Sequence, residues 1–338
     1  MPASRPPINL IYVASIGRSG TTLFESMLGA HSQIESLGEL HLWPHEIRQG
    51  GVQPCGTGFY VQDCPFWSEM RRRVDPLAQP LPQIDHFREK HDGGRTLRPS
   101  RLTDFRPGPL DAATEADIQK YGLNNYAVFS AFQDEVERQT GTRPTWLVDA
   151  SKDPYRLLWL QRSGLFALKV FHLVKHPCGF AYSVTKDRIH DASWGTILPR
   201  YYHTARQSLA WVVQNRLLSR IADRFLTPDQ YRLLHYEQIA KAPYDRFQEA
   251  CAFLDLPYEE TAVTEFRSGS RFTIAGNPMR YEDRPIELDE RWCRTEGVVA
   301  TAFWPRIVLK PGQQAEVYVV RRREVGSSAP ERPSLLEE

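Results

Sequence analysis

The sequence lacks three features that would assign it quickly to a membrane, secreted or nucleic-acid-binding class. Its longest apolar run, near residues 8–16, is far shorter than the roughly 20 residues that span a bilayer, and we expect neither a signal peptide nor a transmembrane segment. Its five cysteines are odd in number and irregularly spaced, which favours a reduced compartment over a disulfide framework. The formal net charge is only +1, so no overall basic field favours nucleic acid. These absences predict a cytoplasmic globular protein whose anion sites, if any, are local.

The most informative feature that the sequence does have is a loop at residues 17–22, with the sequence Gly-Arg-Ser-Gly-Thr-Thr. The apolar run before it, residues 8–14, is rich in β-branched and aromatic residues and predicts a buried strand. Residues 23–28 after it predict the first turns of a helix. A tight loop between a strand and a helix N-terminus aims backbone N–H groups and the positive end of the helix dipole at one anion. The loop is therefore a candidate anion site.

This loop lacks the lysine of the common nucleotide-binding P-loop, in which a Gly-Lys pair precedes the final hydroxyl residue. Here Thr21 follows Gly20 directly, and the cation is Arg18 beside the first glycine. The arrangement resembles the 5′-phosphosulfate loop of sulfotransferases that use 3′-phosphoadenosine 5′-phosphosulfate (PAPS). The resemblance implies that the 5′-phosphosulfate is held by Gly17, Arg18, Ser19, Gly20, Thr21 and Thr22. A structural alternative for Arg18 is an ion pair with Glu25.

A second candidate anion pocket follows the apolar run at residues 166–174, which predicts another buried strand. Lys175 stands at the end of that strand, Pro177 at the start of a predicted helix, and Ser183 within its first two turns. The pattern resembles the 3′-phosphate motif of the same sulfotransferases, which implies that Lys175 and Ser183 hold the 3′-phosphate. It departs from the family in having Lys175 for arginine and His176 for an acid, and lysine offers a point charge rather than a planar fork.

Five further segments resemble, in the same order, the branch of this superfamily that contains carbohydrate and tyrosylprotein sulfotransferases and many bacterial relatives. They are Gly38-Glu39-Leu40, Cys64-Pro65-Phe66-Trp67, residues 149–154, Tyr236-Glu237-Gln238, and residues 276–280 followed by 289–292. The resemblance spans residues 8 to 295 and is absent from residues 68–142 and from those after 300. It implies a metal-independent enzyme, because a sulfuryl group carries less negative charge than a phosphoryl group and protein cations can stabilise it.

The acceptor hydroxyl of such a transfer needs a general base near the sulfur. This branch places a glutamate soon after the first helix, and Glu39 matches that position. His41 is the second candidate for the base, because a histidine serves in the cytosolic relatives. The structural alternatives are an ion pair of Glu39 with Arg18 or Lys152, and a purely structural role for His41.

Lys152 follows a predicted strand at residues 145–149 that should lie beside the first strand, which aims its ammonium at the nucleotide. The matching lysine of the tyrosylprotein enzymes serves the leaving oxygen or the sulfuryl group, so Lys152 is a candidate catalytic residue. In a competing interpretation, Asp149 ends a Walker-B-like strand and binds magnesium. The missing lysine of the P-loop disfavours that interpretation, and we predict no metal site.

The resemblance implies three further contacts with the nucleotide. Gly276 and Asn277 belong to a loop that closes over the adenosine and the 3′-phosphate, and Arg280 supplies a second cation there. Tyr236 contacts the adenine, although an anchoring role at a helix start fits it equally well.

Two cysteines, Cys55 and Cys64, invite a metal interpretation because His41 and His45 are near them in the sequence. Their spacing matches no zinc template. The family uses such cysteines structurally, so ordinary packing is favoured and the role of the pair stays open.

Alternating strand and helix patterns predict an α/β fold with a P-loop kinase-like parallel β-sheet flanked by helices. We expect one domain over residues 1–322. Residues 44–142, rich in proline, glycine and charge, are predicted to be a long lid or substrate insert that binds the acceptor. Residues 323–338 are rich in arginine, proline, serine and glutamate and are predicted to be disordered.

The combined prediction is a PAPS-dependent sulfotransferase that transfers a sulfuryl group to an acceptor hydroxyl by in-line displacement and releases adenosine 3′,5′-bisphosphate. The alternatives are a P-loop kinase of small molecules, which shares the fold, and a non-catalytic relative that binds the nucleotide. The sequence does not choose between a small molecule, a glycan and a lipid-like acceptor, and it does not indicate an oligomeric state.

Overall fold

The computed structural model describes residues 5–49, 54–74, 84, 107–189, 197–281 and 285–293 of the 338-residue chain. The chain divides into two compact units. The larger unit consists of residues 1–175 and 214–288, and the smaller unit consists of residues 176–213 and 289–338. The predicted disordered segment, residues 323–338, lies outside the described residues.

The larger unit is built on a five-stranded sheet in which every neighbouring pair of strands is parallel. Its strands are β1 (Ile8–Ser15), β2 (Ile34–Ser36), β3 (Trp146–Lys152), β4 (Phe166–Val174) and β5 (Tyr231–His235). Their order across the sheet is β2-β3-β1-β4-β5. The three central strands read as nearly continuous apolar runs because both faces of a parallel sheet are covered. This architecture confirms the predicted α/β fold.

The register of the central strands aligns their carboxyl ends. Strand β1 pairs with β4 without interruption from Ile8 opposite Phe166 to Ser15 opposite Leu173. Its pairing with β3 shifts between Tyr12 and Ala14, so that Ala14 lies opposite Lys152. The segments that leave all five strands therefore emerge at one edge of the sheet, which is where parallel α/β folds bind ligands.

Helices connect and flank these strands. The larger unit contains α1 (Thr21–Gly29), α2 (Trp43–Gln49), α3 (Pro65–Val74), α4 (Ala112–Thr140), α5 (Pro154–Ser163), α8 (Tyr236–Lys241), α9 (Pro243–Phe253) and α10 (Thr261–Thr264). Local signals fix the ends of α4 and α5. Asp111 and Asp153 cap their N-termini by accepting backbone N–H groups, and Gly141 and Gly164 end them in the left-handed conformation.

The core of this unit surrounds α1, all nine residues of which are buried. Phe24 of α1 meets Phe171 of β4 edge to face at 5.0 Å, and Phe171 meets Phe253 of α9 at 5.1 Å. On its other side α1 touches the turn at Phe266–Ser270, where a Cβ on Gly269 would lie 2.1 Å from the carbonyl oxygen of Ser26. Helix α1, which follows the anion loop, is therefore packed between β4 and the turn at Phe266–Ser270.

The predicted insert, residues 44–142, is more regular than its composition suggests. It contains α2, α3 and the 29-residue helix α4, which the sequence showed only as scattered helical periodicity. Several of its described aromatic side chains pack against other rings: Phe66 stacks on Phe272 at 4.0 Å and meets Phe132 at 5.3 Å. By contrast, about half of Phe59 and of Tyr60 is exposed. Acceptor binding by this insert stays a prediction.

The smaller unit contains α6 (Pro177–Ile189), the first part of α7 (Ile197–Phe225) and a short turn at Arg291–Cys293. Within it, the ring of His176 stacks on Trp292 with centroids 4.6 Å apart. Helix α6 begins at Pro177, as predicted, because proline needs no hydrogen-bonded N–H in the first turn. Among the described residues, no helix combines the length and the apolar character that crossing a membrane requires.

Candidate active site

The anion loop, residues 17–22, leaves the carboxyl end of β1 and enters the N-terminus of α1. Arg18 and Gly20 both adopt the left-handed conformation, with φ of 71° and 84°. Gly20 is the N-cap residue and brings no side chain to cap the first helical turn. Because uncapped N–H groups at a helix start attract anions, the loop stays a candidate anion site in the structure.

The buried hydroxyl of Ser19 is evidence that this loop binds a ligand. The side chain of Ser19 is fully buried, and among the residues that the structure describes its Oγ has no hydrogen-bond partner. A buried hydroxyl left without a partner costs on the order of 1–3 kcal/mol. An anionic oxygen of a bound ligand would satisfy it, so the loop fits the phosphosulfate end of the nucleotide.

Of the other predicted nucleotide-binding residues, Tyr236 lies against the loop and Lys175 lies over the ring of Tyr236. The ring of Tyr236 is so close to Gly20 that a Cβ on this glycine would lie 2.2 Å from Cδ2 of the tyrosine. The ammonium of Lys175 lies 4.4 Å from the centroid of the same ring. The structure thus groups Gly20, Tyr236 and Lys175. Ser183, the other predicted 3′-phosphate residue, is half-buried on α6 in the smaller unit.

The two predicted catalytic residues Glu39 and Lys152 form an ion pair, with Lys152 Nζ 2.5 Å from Glu39 Oε1. Both side chains are largely covered, with exposed fractions of 17% for Glu39 and 9% for Lys152. Lys152 ends β3 in the left-handed conformation, φ 66°, which is uncommon for a residue with a Cβ. This is the pairing that the sequence left open as a structural alternative, and it also places a carboxylate and an ammonium together at the ligand edge.

The backbone around Glu39 is held from two sides. Its N–H donates to the carbonyl oxygen of Ile274 at 2.9 Å, and the N–H of Ala150 donates to the carbonyl oxygen of Gly38 at 2.9 Å. Gly38 has φ 74°, and a Cβ there would lie 2.3 Å from the carbonyl oxygen of Ile274. A glycine is therefore required before Glu39, which fixes the direction of the carboxylate.

The buried carboxyl group of Glu25 is linked to the same segment through Ser36. The Oγ of Ser36 donates to Glu25 Oε1 at 2.7 Å and accepts the N–H of Gly38 at 3.2 Å. Burial raises the pKa of Glu25 to about 7, and the hydrogen bond from Ser36 and the charge of Lys152 oppose the increase.

Sequence reasoning missed Gln214, which lies on α7 within the larger unit. Its buried side-chain amide donates to the carbonyl oxygens of Ser15 at 2.7 Å and Lys152 at 3.2 Å. It thereby ties together the carboxyl ends of β1 and β3. The only signal in the sequence was a glutamine on the buried face of an amphipathic helix.

The predicted loop at residues 276–280 reaches the anion site. The N–H of Asn277 donates to Thr22 Oγ1 at 3.2 Å, and Gly276 has φ 117°. The Arg280 guanidinium donates to Thr273 Oγ1 at 2.9 Å, to Pro54 O at 2.7 Å and to Ala275 O. Its hydrogen bonds therefore fasten the loop to the protein, and its predicted role toward the 3′-phosphate stays a prediction.

The remaining candidates have structural contacts. His41 is buried, and its backbone N–H donates to Ser151 Oγ at 3.2 Å. The buried carboxylate of Asp149 accepts from Arg156 Nε at 2.7 Å and from the N–H of Ser151 at 3.0 Å. These bonds occupy both oxygens that the Walker-B interpretation assigned to magnesium. In the described part of the chain, no three His, Cys, Asp or Glu residues are grouped as metal ligands.

Comparison with known proteins finds no matching family model. One local match joins 56 residues, 16% of this chain, to a type 3 secretion system secretin from Pseudomonas syringae pv. syringae at 43% identity. The match covers only 8% of that secretin's length, so it says nothing of the whole chain.

Similar solved structures cover most of the chain. The sulfotransferase domain of the Synechococcus PCC 7002 olefin synthase has 21% identity and a TM-score of 0.49, over 97% of this chain and 98% of that domain. The sulfotransferase domain of the curacin biosynthetic pathway has 19% identity and a TM-score of 0.49, over 91% and 99%. Sulfotransferase STF9 from Mycobacterium avium has 12% identity and a TM-score of 0.49, over 95% and 77%. Each of these three solved proteins is a sulfotransferase or a sulfotransferase domain.

Proposed function

We propose that the chain is a sulfotransferase that moves a sulfuryl group from PAPS to an acceptor hydroxyl. The observation that carries this proposal is one arrangement at the sheet edge: an anion loop with the buried, unpartnered hydroxyl of Ser19 lies at the strand ends that also carry the Glu39–Lys152 pair. An anion cradle alone would suit any phosphate ligand. A paired carboxylate and ammonium add the groups that a hydroxyl acceptor and a developing negative charge need.

The residues present fit the proposed nucleotide. The loop of residues 17–22 would hold the 5′-phosphosulfate, with Ser19 donating its otherwise unsatisfied hydroxyl proton. Tyr236 and Lys175 would receive the adenosine side, since Tyr236 lies against the loop at Gly20 and Lys175 lies over the ring of Tyr236. Further contacts that the family motifs imply come from Ser183, Gly276, Asn277 and Arg280.

The mechanism assigns a separate task to each charged group. PAPS supplies the activated sulfuryl group. Glu39 accepts the proton of the acceptor hydroxyl at Oε1 or Oε2, and Lys152 both orients that carboxylate and places a positive charge beside the transfer. Arg18, exposed at the mouth of the loop, adds charge where the leaving oxygen becomes negative. The backbone of Gly38 and the side-chain amide of Gln214 hold the two ends of the Glu39–Lys152 pair in place.

A small-molecule kinase is the main alternative. It would need a P-loop lysine, which the Gly20-Thr21 sequence lacks, and a carboxylate for magnesium, whereas Asp149 is engaged by Arg156. Both differences favour PAPS over ATP as the donor. The cytoplasmic location also stays a prediction.

The first experiment compares ligands by thermal shift and calorimetry. Adenosine 3′,5′-bisphosphate should raise the melting temperature more than ADP with magnesium, and the reverse order would refute the proposal. AMP should bind at least about tenfold more weakly than the bisphosphate, since it lacks the 3′-phosphate and its charge-assisted bonds. Lys175→Ala should remove most of this difference, whereas Lys241→Ala, at the far end of α8, should keep it.

The second experiment tests catalysis with labelled PAPS and a panel of phenols, sugars and lipid alcohols. With any acceptor that the protein sulfates, Glu39→Gln should lower kcat by about 100-fold or more while the bisphosphate still binds. Glu137→Gln, at an exposed surface pair, is the control and should not change kcat. Binding of the bisphosphate without turnover of any acceptor would support the non-catalytic alternative. Full activity of both Glu39→Gln and Lys152→Ala would contradict the assigned groups.

A further inference from the structure

Cys55 and Cys64 are two buried thiols that the proposed sulfuryl transfer does not use. Thr57 Oγ1 lies 2.9 Å from Cys55 Sγ and 3.2 Å from Cys64 Sγ, so one hydroxyl contacts both sulfurs. We propose that this pair is an oxidation site, which hydrogen peroxide converts into an intramolecular disulfide.

A tight turn brings the two sulfurs together. The N–H of Cys55 donates to the carbonyl oxygen of Phe59 at 2.7 Å, and the N–H of Gly58 donates to the carbonyl oxygen of Cys55 at 2.9 Å. An antiparallel bridge between Pro54 and Tyr60 returns the chain toward α3. These backbone hydrogen bonds thus hold the segment in which Cys55, Thr57 and Cys64 come together.

The two thiols are electrostatically different. The hydrogen bond from Cys55 is the largest influence that lowers the pKa of Cys64, and Thr57 and the backbone N–H groups of Trp67 and Phe66 at the start of α3 act in the same direction. The same bond to Cys64, together with burial, raises the pKa of Cys55. Cys64 is therefore the nucleophile of the pair, and Cys55 is the thiol that resolves the intermediate.

The position of the pair selects a small oxidant. Both sulfurs are buried, but the residues of the turn above them, Gly58, Phe59 and Tyr60, are exposed. A bulky disulfide such as oxidised glutathione cannot reach a covered sulfur in line, whereas hydrogen peroxide is scarcely larger than water. The pair therefore takes a peroxide as its substrate.

The proposed reaction has two steps. The Cys64 thiolate attacks one peroxide oxygen, so that an S–O bond forms, the O–O bond breaks and hydroxide leaves to become water. The Cys55 sulfur then attacks Cys64, so that the S–S bond forms, the S–O bond breaks and the second water carries away the Cys55 proton. Two thiols are oxidised by two electrons and one peroxide is reduced to two waters.

A disulfide here would strengthen a structural connection to the ligand edge. The carbonyl oxygen of Pro54, next to Cys55, accepts from Arg280 Nη2 at 2.7 Å and from the hydroxyl of Tyr281 at 2.7 Å. Closing the chain between residues 55 and 64 removes conformational freedom from the unfolded state. Oxidation should therefore raise the melting temperature, by roughly 3–6 °C for a loop of this length in a chain of this size.

The test uses the full chain, treated with hydrogen peroxide, alkylated with N-ethylmaleimide and digested for mass spectrometry. The expected product is a cross-linked peptide pair containing Cys55 and Cys64, two hydrogens lighter than the thiols and released by dithiothreitol. Cys251 is the internal control, since burial raises its pKa to about 11 and it should be recovered as an unoxidised thiol. Recovery of Cys55 and Cys64 as separate alkylated or sulfinic peptides would overturn the proposal.

Variants assign the two roles. In Cys55→Ser the sulfenic acid on Cys64 cannot be resolved, so dimedone should label Cys64 after peroxide treatment. In Cys64→Ser, dimedone should leave Cys55 unlabelled; strong labelling of Cys55 would overturn the assignment of Cys64 as nucleophile. If either variant does not fold, the pH dependence of Cys64 alkylation in the unchanged protein gives the same information. Its midpoint should lie below the ordinary thiol value of about 8.5, and a midpoint above it would contradict the proposal.

Discussion

The ring of Tyr236 occupies the space that a side chain on Gly20 would need, with Cδ2 only 2.2 Å from the position of a Cβ. Gly20 also has φ 84°, a conformation that L side chains rarely adopt. The first turn of α8 and the first turn of α1 can therefore meet only because this position is glycine. The glycine of the anion loop and the aromatic residue after β5 form one unit of the site.

Gly20→Ala should consequently damage the site in two ways. The left-handed strain costs about 1–2 kcal/mol, and the displaced Tyr236 ring should weaken binding of adenosine 3′,5′-bisphosphate by about tenfold or more. Gly141→Ala is the matched control, because Gly141 has φ 77° but nothing within 4 Å of an added Cβ. Urea unfolding and calorimetry should show the strain in both variants and the loss of binding only in Gly20→Ala. Equal binding by the two would exclude this role of Tyr236.

Ser19→Ala should change stability and binding in opposite directions. Because Ser19 Oγ has no partner in the unliganded protein, its removal should leave the free energy of unfolding unchanged or raise it by about 1 kcal/mol. The loss of a charge-assisted bond should weaken the bisphosphate by roughly tenfold. Ser15→Ala, at an equally buried hydroxyl that donates to Leu173 O at 2.8 Å, should instead destabilise the protein. A stability loss in Ser19→Ala as large as that in Ser15→Ala would argue against an open ligand contact.

Gln214→Leu tests whether Gln214 positions Lys152 for catalysis or only stabilises the fold. It removes the amide that joins Ser15 and Lys152, so Lys152 and its partner Glu39 should lose their fixed geometry. We expect kcat to fall by about tenfold or more with little change in nucleotide affinity, since small misplacements of reacting groups are costly. Gln161→Leu is the control, because Gln161 also donates its side-chain amide to a backbone carbonyl, that of Phe225, which is not a candidate site residue. Similar kcat values for the two variants would show that Gln214 acts on stability alone.

The buried carboxyl group of Glu25 predicts a pH effect of definite sign. Its pKa is raised from 4.5 to about 7 in the folded protein, mainly by burial, so the folded state holds a proton that the unfolded state has lost between these values. Stability should therefore fall as the pH rises from about 4.5 to 7. Glu25→Gln removes this contribution, and its stability relative to the unchanged protein should be greater at pH 8 than at pH 4.5 by up to about 3 kcal/mol.

The groups that face Glu25 are Ser36, Lys152, Glu39 and Arg280, and all remain in the variant. Glu249→Gln, at an exposed pair with Arg246, controls for the loss of one surface carboxylate. Chemical denaturation at the two pH values gives the comparison. An offset for Glu25→Gln that is the same at pH 4.5 and pH 8 would exclude an uncharged Glu25 near neutral pH.

Strands were the part of the fold that local sequence predicted best. The strand at Phe166–Val174 has the predicted bounds, β1 extends one residue beyond the predicted 8–14, and β3 runs to Lys152 rather than ending at the predicted residue 149. Continuous β-branched and aromatic runs are unambiguous when both faces of a strand are buried. The sequence did not predict most of helix α4, because many charged and polar residues obscure the spacing of the apolar residues on its buried face.

The motif residues were predictable, and their mutual contacts were not. The sequence identified Glu39 and Lys152 separately, but their 2.5 Å contact depends on strands that are far apart in the chain. It offered Arg280 as a cation for the nucleotide, whereas the guanidinium donates to Pro54, Thr273 and Ala275. A motif records residue types at fixed spacing, and the partner that satisfies a charge is chosen by tertiary packing.

The contacts of Ile274 and Asn277 also bear on how a nascent chain acquires the site. The fifth strand is complete at His235, so every strand of the sheet has been synthesised by then. The bonds to Glu39 and Thr22 must wait for Ile274 and Asn277, about forty residues later. At a synthesis rate of about 5–20 residues per second, this interval is roughly 2–8 s. During this interval the loops at the sheet edge lack their hydrogen bonds to Ile274 and Asn277, and the edge is exposed. We expect chaperone binding to matter most at this stage.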